Sequence, residues 1–203
     1  QLPTPWKLSS TITDSVTNVN LGNYTFSSGA VSPDGDIMYL YDVILDQVVE
    51  FTLATANDPT TGVYSSALAV GASVTDIVFN YTGNTMYVAK STTVDIYTLS
   101  TPWSLTSATL TTAGQALSNS HNFGIFDSGT KLIRAANLNS SARNTMYWSK
   151  LNTPDDIQTQ QLVDSFHYLG GPAPLYVSPH NPTQYYVGNS TFINQLQFIA
   201  GIE

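Results

Sequence analysis

Ser32-Pro33-Asp34-Gly35-Asp36-Ile37-Met38-Tyr39-Leu40 and Asn80-Tyr81-Thr82-Gly83-Asn84-Thr85-Met86-Tyr87-Val88 are two copies of one pattern. In each, a polar turn with glycine at its tip runs into an apolar stretch, the order expected of a tight hairpin followed by a strand. Asp127-Ser128-Gly129 before Lys131-Leu132-Ile133 is a third copy, and Ser178-Pro179-His180-Asn181-Pro182 before Tyr185-Tyr186-Val187 is a fourth. A unit that recurs every fifty residues or so (~46–52) is the mark of a repeat architecture, in which each unit buries its apolar face only against its neighbours.

Outward from these hairpins the units continue alike. A third strand is predicted over 47–53, 94–99, 145–151 and 194–199, and Val94-Asp95-Ile96-Tyr97-Thr98-Leu99 has the period-2 alternation of a half-buried strand. Proline-bearing connections follow at Asp58-Pro59, Thr101-Pro102-Trp103-Ser104-Leu105 and Thr153-Pro154-Asp155-Asp156-Ile157, leading into fourth strands over 63–70, 107–113 and 158–164. Thr4-Pro5-Trp6-Lys7-Leu8 repeats the connection with no third strand before it, while the last unit has a third strand and no fourth. The expectation is an all-β, four-bladed β-propeller, a single domain over 1–203, closed by an N-terminal strand that completes the last blade. Residues 1–20 are the closing outer strand, and the blades cover about 21–70, 71–113, 114–164 and 165–203 plus 1–20. A β-sandwich of many short strands is the structural alternative.

The chain has 203 residues, 42% of them hydrophobic and only 10% charged, against about 25% charged in ordinary domains. Its polar surface is therefore built from Ser, Thr, Asn and Gln. Fourteen carboxylates against six Lys and Arg give a formal charge of -8, so a phosphate backbone is repelled and nucleic acid is not an expected partner. There is no cysteine, which excludes disulfides and thiolate metal sites. No apolar run reaches the roughly 20 residues of a membrane span.

Ser32-Pro33-Asp34-Gly35 with Met38-Tyr39-Leu40 resembles the repeats of YVTN-type and lactonase-like β-propellers, and the Thr-Pro-Trp-x-Leu connections at 4–8 and 101–105 look like a propeller repeat of phage virion and marine bacterial proteins. The resemblance covers nearly the whole chain. It implies the propeller fold and, as an expectation, a setting on a virion or outside the cell.

No constellation identifies a reaction. Asp34 and Asp36 flank a hairpin turn, and Asp42, Asp46 and Glu50 are read as solvating a strand; no loop has calcium spacing, and His121, His167 and His180 are isolated. Catalytic residues, metal ligands and cofactors are accordingly expected to be none. Trp6 and Trp103 occupy equivalent positions, either as stacking platforms for sugar rings or as wedges between strands, the wedge being favoured by recurrence. Trp148 is assigned to the core. Val43, Ile44 and Leu45 fall where the other units carry hydroxyls and amides between second and third strands, and three apolar residues at a loop tip suggest a partner contact. Asn-x-Ser/Thr sequences at Asn23, Asn80, Asn139 and Asn189 match the glycosylation acceptor pattern.

The leading expectation is a non-enzymatic interaction module of an assembled particle, a phage capsid-decorating or tail protein contacting other virion or surface proteins or its own copies. A carbohydrate- or receptor-binding adhesin recognising a glycan is the alternative, and a lactonase-like hydrolase the second alternative. Ring closure has a direct test: removing residues 1–20 is expected to lower the midpoint of thermal unfolding by several degrees, and an unchanged midpoint speaks against closure.

Overall fold

The computed structural model describes residues 24–90, 92–117, 122–137, 143–169, 175–177, 184–188 and 193–197. They form four antiparallel sheets in chain order. Sheet one holds β1 (Phe26–Val31), β2 (Ile37–Asp42), β3 (Gln47–Leu53) and β4 (Gly62–Ala69); sheet two holds β5 (Val74–Phe79), β6 (Thr85–Lys90), β7 (Thr93–Leu99) and β8 (Ala108–Ala116). Sheet three holds β9 (Asn122–Phe126), β10 (Lys131–Asn137), β11 (Arg143–Leu151) and β12 (Gln160–Leu169), and sheet four β13 (Leu175–Val177), β14 (Gln184–Gly188) and β15 (Ile193–Gln197). The first strands stand side by side, β1 against β5, β5 against β9 and β9 against β13. They form a common inner edge from which the sheets radiate.

Each sheet has two ends. The turn end carries the glycine hairpins and the β3–β4 type connections, with short 3₁₀ turns at Pro59–Thr61, Leu105–Ser107 and Ile157–Thr159. The loop end carries the β2–β3 type connections and the crossings from one sheet to the next. Cores lie between neighbouring sheets. Tyr39, Val48, Phe79, Met86 and Leu99 belong to one spanning sheets one and two, and Tyr87, Val94, Phe123, Leu132 and Ile157 to one spanning sheets two and three. A face buried on both sides explains the near-continuous apolar runs of the second strands.

The turn end is built the same way three times. Gly35, Gly83 and Gly129 have φ of +80°, +71° and +80°, and their carbonyls accept the backbone N–H of Asn57, Trp103 and Asp155 at 2.7, 2.9 and 2.8 Å. Those three partners also have positive φ, at 61°, 63° and 63°, a conformation costly for residues other than glycine. Each lays its side chain over the glycine of its own sheet, so that a Cβ on Gly83 would fall 2.2 Å from the Trp103 ring. The Trp103 indole also stacks on Phe79 at 5.2 Å between ring centres. The strained carbonyls are then engaged from the preceding sheet. Tyr39 Oη donates to the Trp103 carbonyl, and Tyr87 Oη donates to the Asp155 carbonyl at 2.6 Å. Both phenols are completely buried, and desolvation raises their pKa, reinforced by Glu50 at Tyr39 and by Asp155 at Tyr87, so both remain donors. In sheet three the corresponding position, four residues after the hairpin glycine, is Ile133.

Several details differ from the sequence reading. Asp42 and Glu50 are buried, not solvating a strand. Glu50 accepts from Ser65 Oγ at 2.9 Å and from the backbone N–H of Leu105 at 2.8 Å, which braces sheet one against the 3₁₀ turn of sheet two. Trp148 is half-buried, packed on Phe126 with the Lys131 ammonium 5.6 Å from its ring centre. Asn80 is buried and donates to Asn84 and Asp155, which removes it as a glycosylation acceptor.

Losing either phenol donor leaves a half-buried carbonyl without this partner, so Tyr39→Phe and Tyr87→Phe are each expected to cost about 1–2 kcal/mol in urea denaturation. Gly83→Ala combines positive φ with a collision against the indole and is expected to cost more than either.

Candidate functional site

Polar groups gather at the loop end of the inner edge. By register Ser28, Asp76 and Asn122 are equivalent, each lying opposite the residue six beyond its hairpin glycine: Tyr41, Ala89 and Ala135. In β1 and β5 the pairing shifts just before this position, between Phe26 and Ser28 and between Val74 and Asp76. Such irregularities re-aim a side chain that strict alternation would commit to one face. The crossing into β5 is tightly turned, with Gly71 and Ser73 at φ of 79° and 66°.

Asp76 joins three sheets. Its Oδ1 accepts from Ser28 Oγ at 3.1 Å and from the N–H of Ile77 at 2.9 Å, while its Oδ2 accepts from the N–H of Phe123 at 3.1 Å. The carboxyl pKa is nevertheless raised to about 7. Burial is the largest influence, and the donors Phe123, Ser28 and Ile77 oppose it without overcoming it. Both protonation states are thus populated near neutrality, the condition that suits general acid–base chemistry.

Around it the loop end is mostly acidic. Asp95 pairs with Lys90 at 2.6 Å and accepts from the N–H of Gly114 at 2.7 Å. Tyr41 Oη donates to Asp46 at 2.8 Å, and Asp42 Oδ1 accepts from the N–H of Ile44 at 2.9 Å. That last bond, with Val43 N–H donating to the Thr25 carbonyl at 2.9 Å, fixes the loop that carries Val43, Ile44 and Leu45. Their side chains stand 40%, 65% and 58% exposed, at the same end as Asp76.

Of the residues singled out from sequence, Val43, Ile44 and Leu45 therefore share an end with the carboxylate, whereas Trp103 lies at the opposite end, half-buried over Gly83 and Phe79. Trp6, His121 and His180 lie outside the described residues, as does the closing segment 1–20. Sequence reading passed over Asp76. The available signal was a lone carboxylate within the otherwise apolar and hydroxyl-bearing strand Val74-Thr75-Asp76-Ile77-Val78-Phe79.

No protein-family model and no curated protein matches the chain. Solved structures match it at the level of fold. A provisionally assigned 6-phosphogluconolactonase from Bacteroides uniformis is 14% identical with a TM-score of 0.56, the match covering 87% of this chain and 51% of that one. Another from Bacteroides fragilis is 15% identical with a TM-score of 0.53, covering 86% and 51%. A β-propeller domain from Myceliophteria thermophila is 11% identical with a TM-score of 0.51, covering 87% and 52%. The chain spans about half the length of these structures, and with them its radiating sheets are those of the β-propeller fold.

These neighbours overturn the leading expectation. Two of the three are provisionally assigned as enzymes and none supports a phage particle role, so the expectation of a non-enzymatic virion module is withdrawn.

The Asp76 geometry has a consequence for stability. Its pKa in the folded chain lies above that of an unfolded aspartate, so its contribution is fully present below about pH 4 and is lost as pH rises through about 7. Asp76→Asn cannot ionise. The stability of the natural chain relative to this variant is expected to fall by on the order of 3 kcal/mol between about pH 4 and pH 8, read from urea denaturation across that range.

Proposed function

We propose that this chain is a lactonase-type propeller hydrolase that opens the ring ester of a sugar lactone, with Asp76 as its general base. The observation that carries the reading is a carboxyl held by donors from three adjacent inner strands, with a pKa of about 7. The provisionally assigned lactonases among the fold neighbours support the reaction class.

In this reading a water attacks the lactone carbonyl while the Asp76 carboxylate takes its proton. Among the described hydrogen bonds Oδ2 accepts from the N–H of Phe123, and a carboxylate oxygen has a further lone pair to receive the proton. Collapse of the tetrahedral intermediate breaks the acyl–oxygen bond of the ring. The protonated carboxyl then returns its proton to the departing alkoxide, leaving a hydroxy acid and the enzyme unchanged. Ser28 is a positioning residue, fixing Oδ1 so that Oδ2 faces the water. The four-bladed closure belongs to the same proposal, supported by the recurrence of Thr-Pro-Trp at 4–6 and 101–103. The base and its donors come from three consecutive blades, so the chemistry does not depend on how the ring closes.

Hydrolysis of glucono-δ-lactone, followed by acid release above the buffer rate, is the test. The expected kcat/KM rises with pH through about 7, and Asp76→Asn lowers it by about 100-fold or more with the fold retained by circular dichroism. A rate no faster than buffer overturns the reading.

A further inference from the structure

Resting on that reading, we infer that the lactone taken by this chain is uncharged, and that the loop end discriminates against a phosphorylated one. A phosphate dianion needs cations or a cluster of free backbone N–H groups to offset its lost hydration. The loop end around Asp76 carries Asp42, Asp46 and Asp95 besides Asp76 itself. Among the described residues, the cations placed at this end are Lys90, which ends β6, and Arg143, which begins β11 of sheet three.

Lys90 is already committed. Its ammonium lies 2.6 Å from Asp95 Oδ2, with the two side chains 26% and 11% exposed, so recruiting it for a phosphate would leave a largely buried carboxylate without its counter-ion. That costs more than a surface ion pair returns. The other described cations are placed elsewhere. Lys131 pairs with Asp127 at 2.9 Å at the turn end, Lys150 lies opposite Lys131, and Arg134 stands in mid-strand with its guanidinium 4.7 Å from the Tyr147 ring centre. The described 3₁₀ turns, whose N-termini present N–H groups, are also at the turn end, and Asp58 and Asp156 cap two of them.

The chain as a whole adds to the repulsion, at a formal charge of -8. Hydroxyls suit this setting better than phosphate. Ser28 and Asn122, at the positions equivalent to Asp76, are neutral side chains and not cations.

The experiment compares kcat/KM for glucono-δ-lactone and its 6-phosphate with the whole chain, at low and at high potassium chloride. The expected result is a preference for the neutral lactone of about 10-fold or more at low salt, with the phosphorylated lactone gaining from added salt and the neutral one indifferent to it. Asp95→Asn releases Lys90 while its side-chain oxygen can still accept from Gly114. It is expected to raise kcat/KM for the phosphorylated lactone by about 3-fold or more and to leave the neutral one unchanged. Equal or faster turnover of the phosphorylated lactone at low salt overturns the inference while leaving the hydrolase reading in place. Hydrolysis of neither lactone removes that reading and the inference with it.

Discussion

A phenol hydroxyl donated across a sheet boundary to the carbonyl of a strained residue is the interaction on which the described fold turns. Trp103 and Asp155 occupy positive φ because their N–H groups must reach the hairpin glycine of their own sheet. That conformation aims their carbonyls at the preceding sheet, where Tyr39 and Tyr87 receive them. The strain of one unit is thereby offset by a bond from the unit before it. Packing alone would let neighbouring sheets slide, because dispersion and apolar burial have no direction. A buried hydrogen bond has one, and it sets the angle at which successive sheets meet.

The repeat made most of this legible beforehand. Glycine hairpins, apolar second strands and alternating third strands follow from local chemistry, and β3 occupies Gln47–Leu53 as the alternation indicated. The proline connections were visible as sequence, but their partnership with the glycines was not. Asn57, Trp103 and Asp155 share a backbone role while sharing no side-chain chemistry, so nothing in residue type marks them as equivalent. Glu50 failed for a related reason. A carboxylate in an alternating strand looks solvated until the neighbouring sheet brings the N–H of Leu105 against it.

The candidate site was less legible than the fold because it is assembled by register. Ser28, Asp76 and Asn122 are far apart in sequence and differ in type, and only their common place at the start of the inner strands brings them together. The pairing shifts before Ser28 and Asp76 turn their side chains away from where a strict period of two would put them. A motif search looks for spacing within one segment. Here one residue per repeat contributes, which distributes the chemistry over the units that build the scaffold. The same arrangement couples them: besides the N–H of Ile77 from its own strand, the donors that hold Asp76 come from the sheets on either side.

Ile133 occupies in sheet three the place that tyrosine holds in sheets one and two, and it has no proton to give. Whatever packs beyond that sheet meets an apolar side chain there, which adds burial but no directed bond of its own. In an array whose stability is a sum of unit and neighbour terms, that position adds to the neighbour term by packing and not by a phenol bond. Tyr39 and Tyr87 thus latch the two seams around Asp76, and the position held by Ile133 carries no such donor.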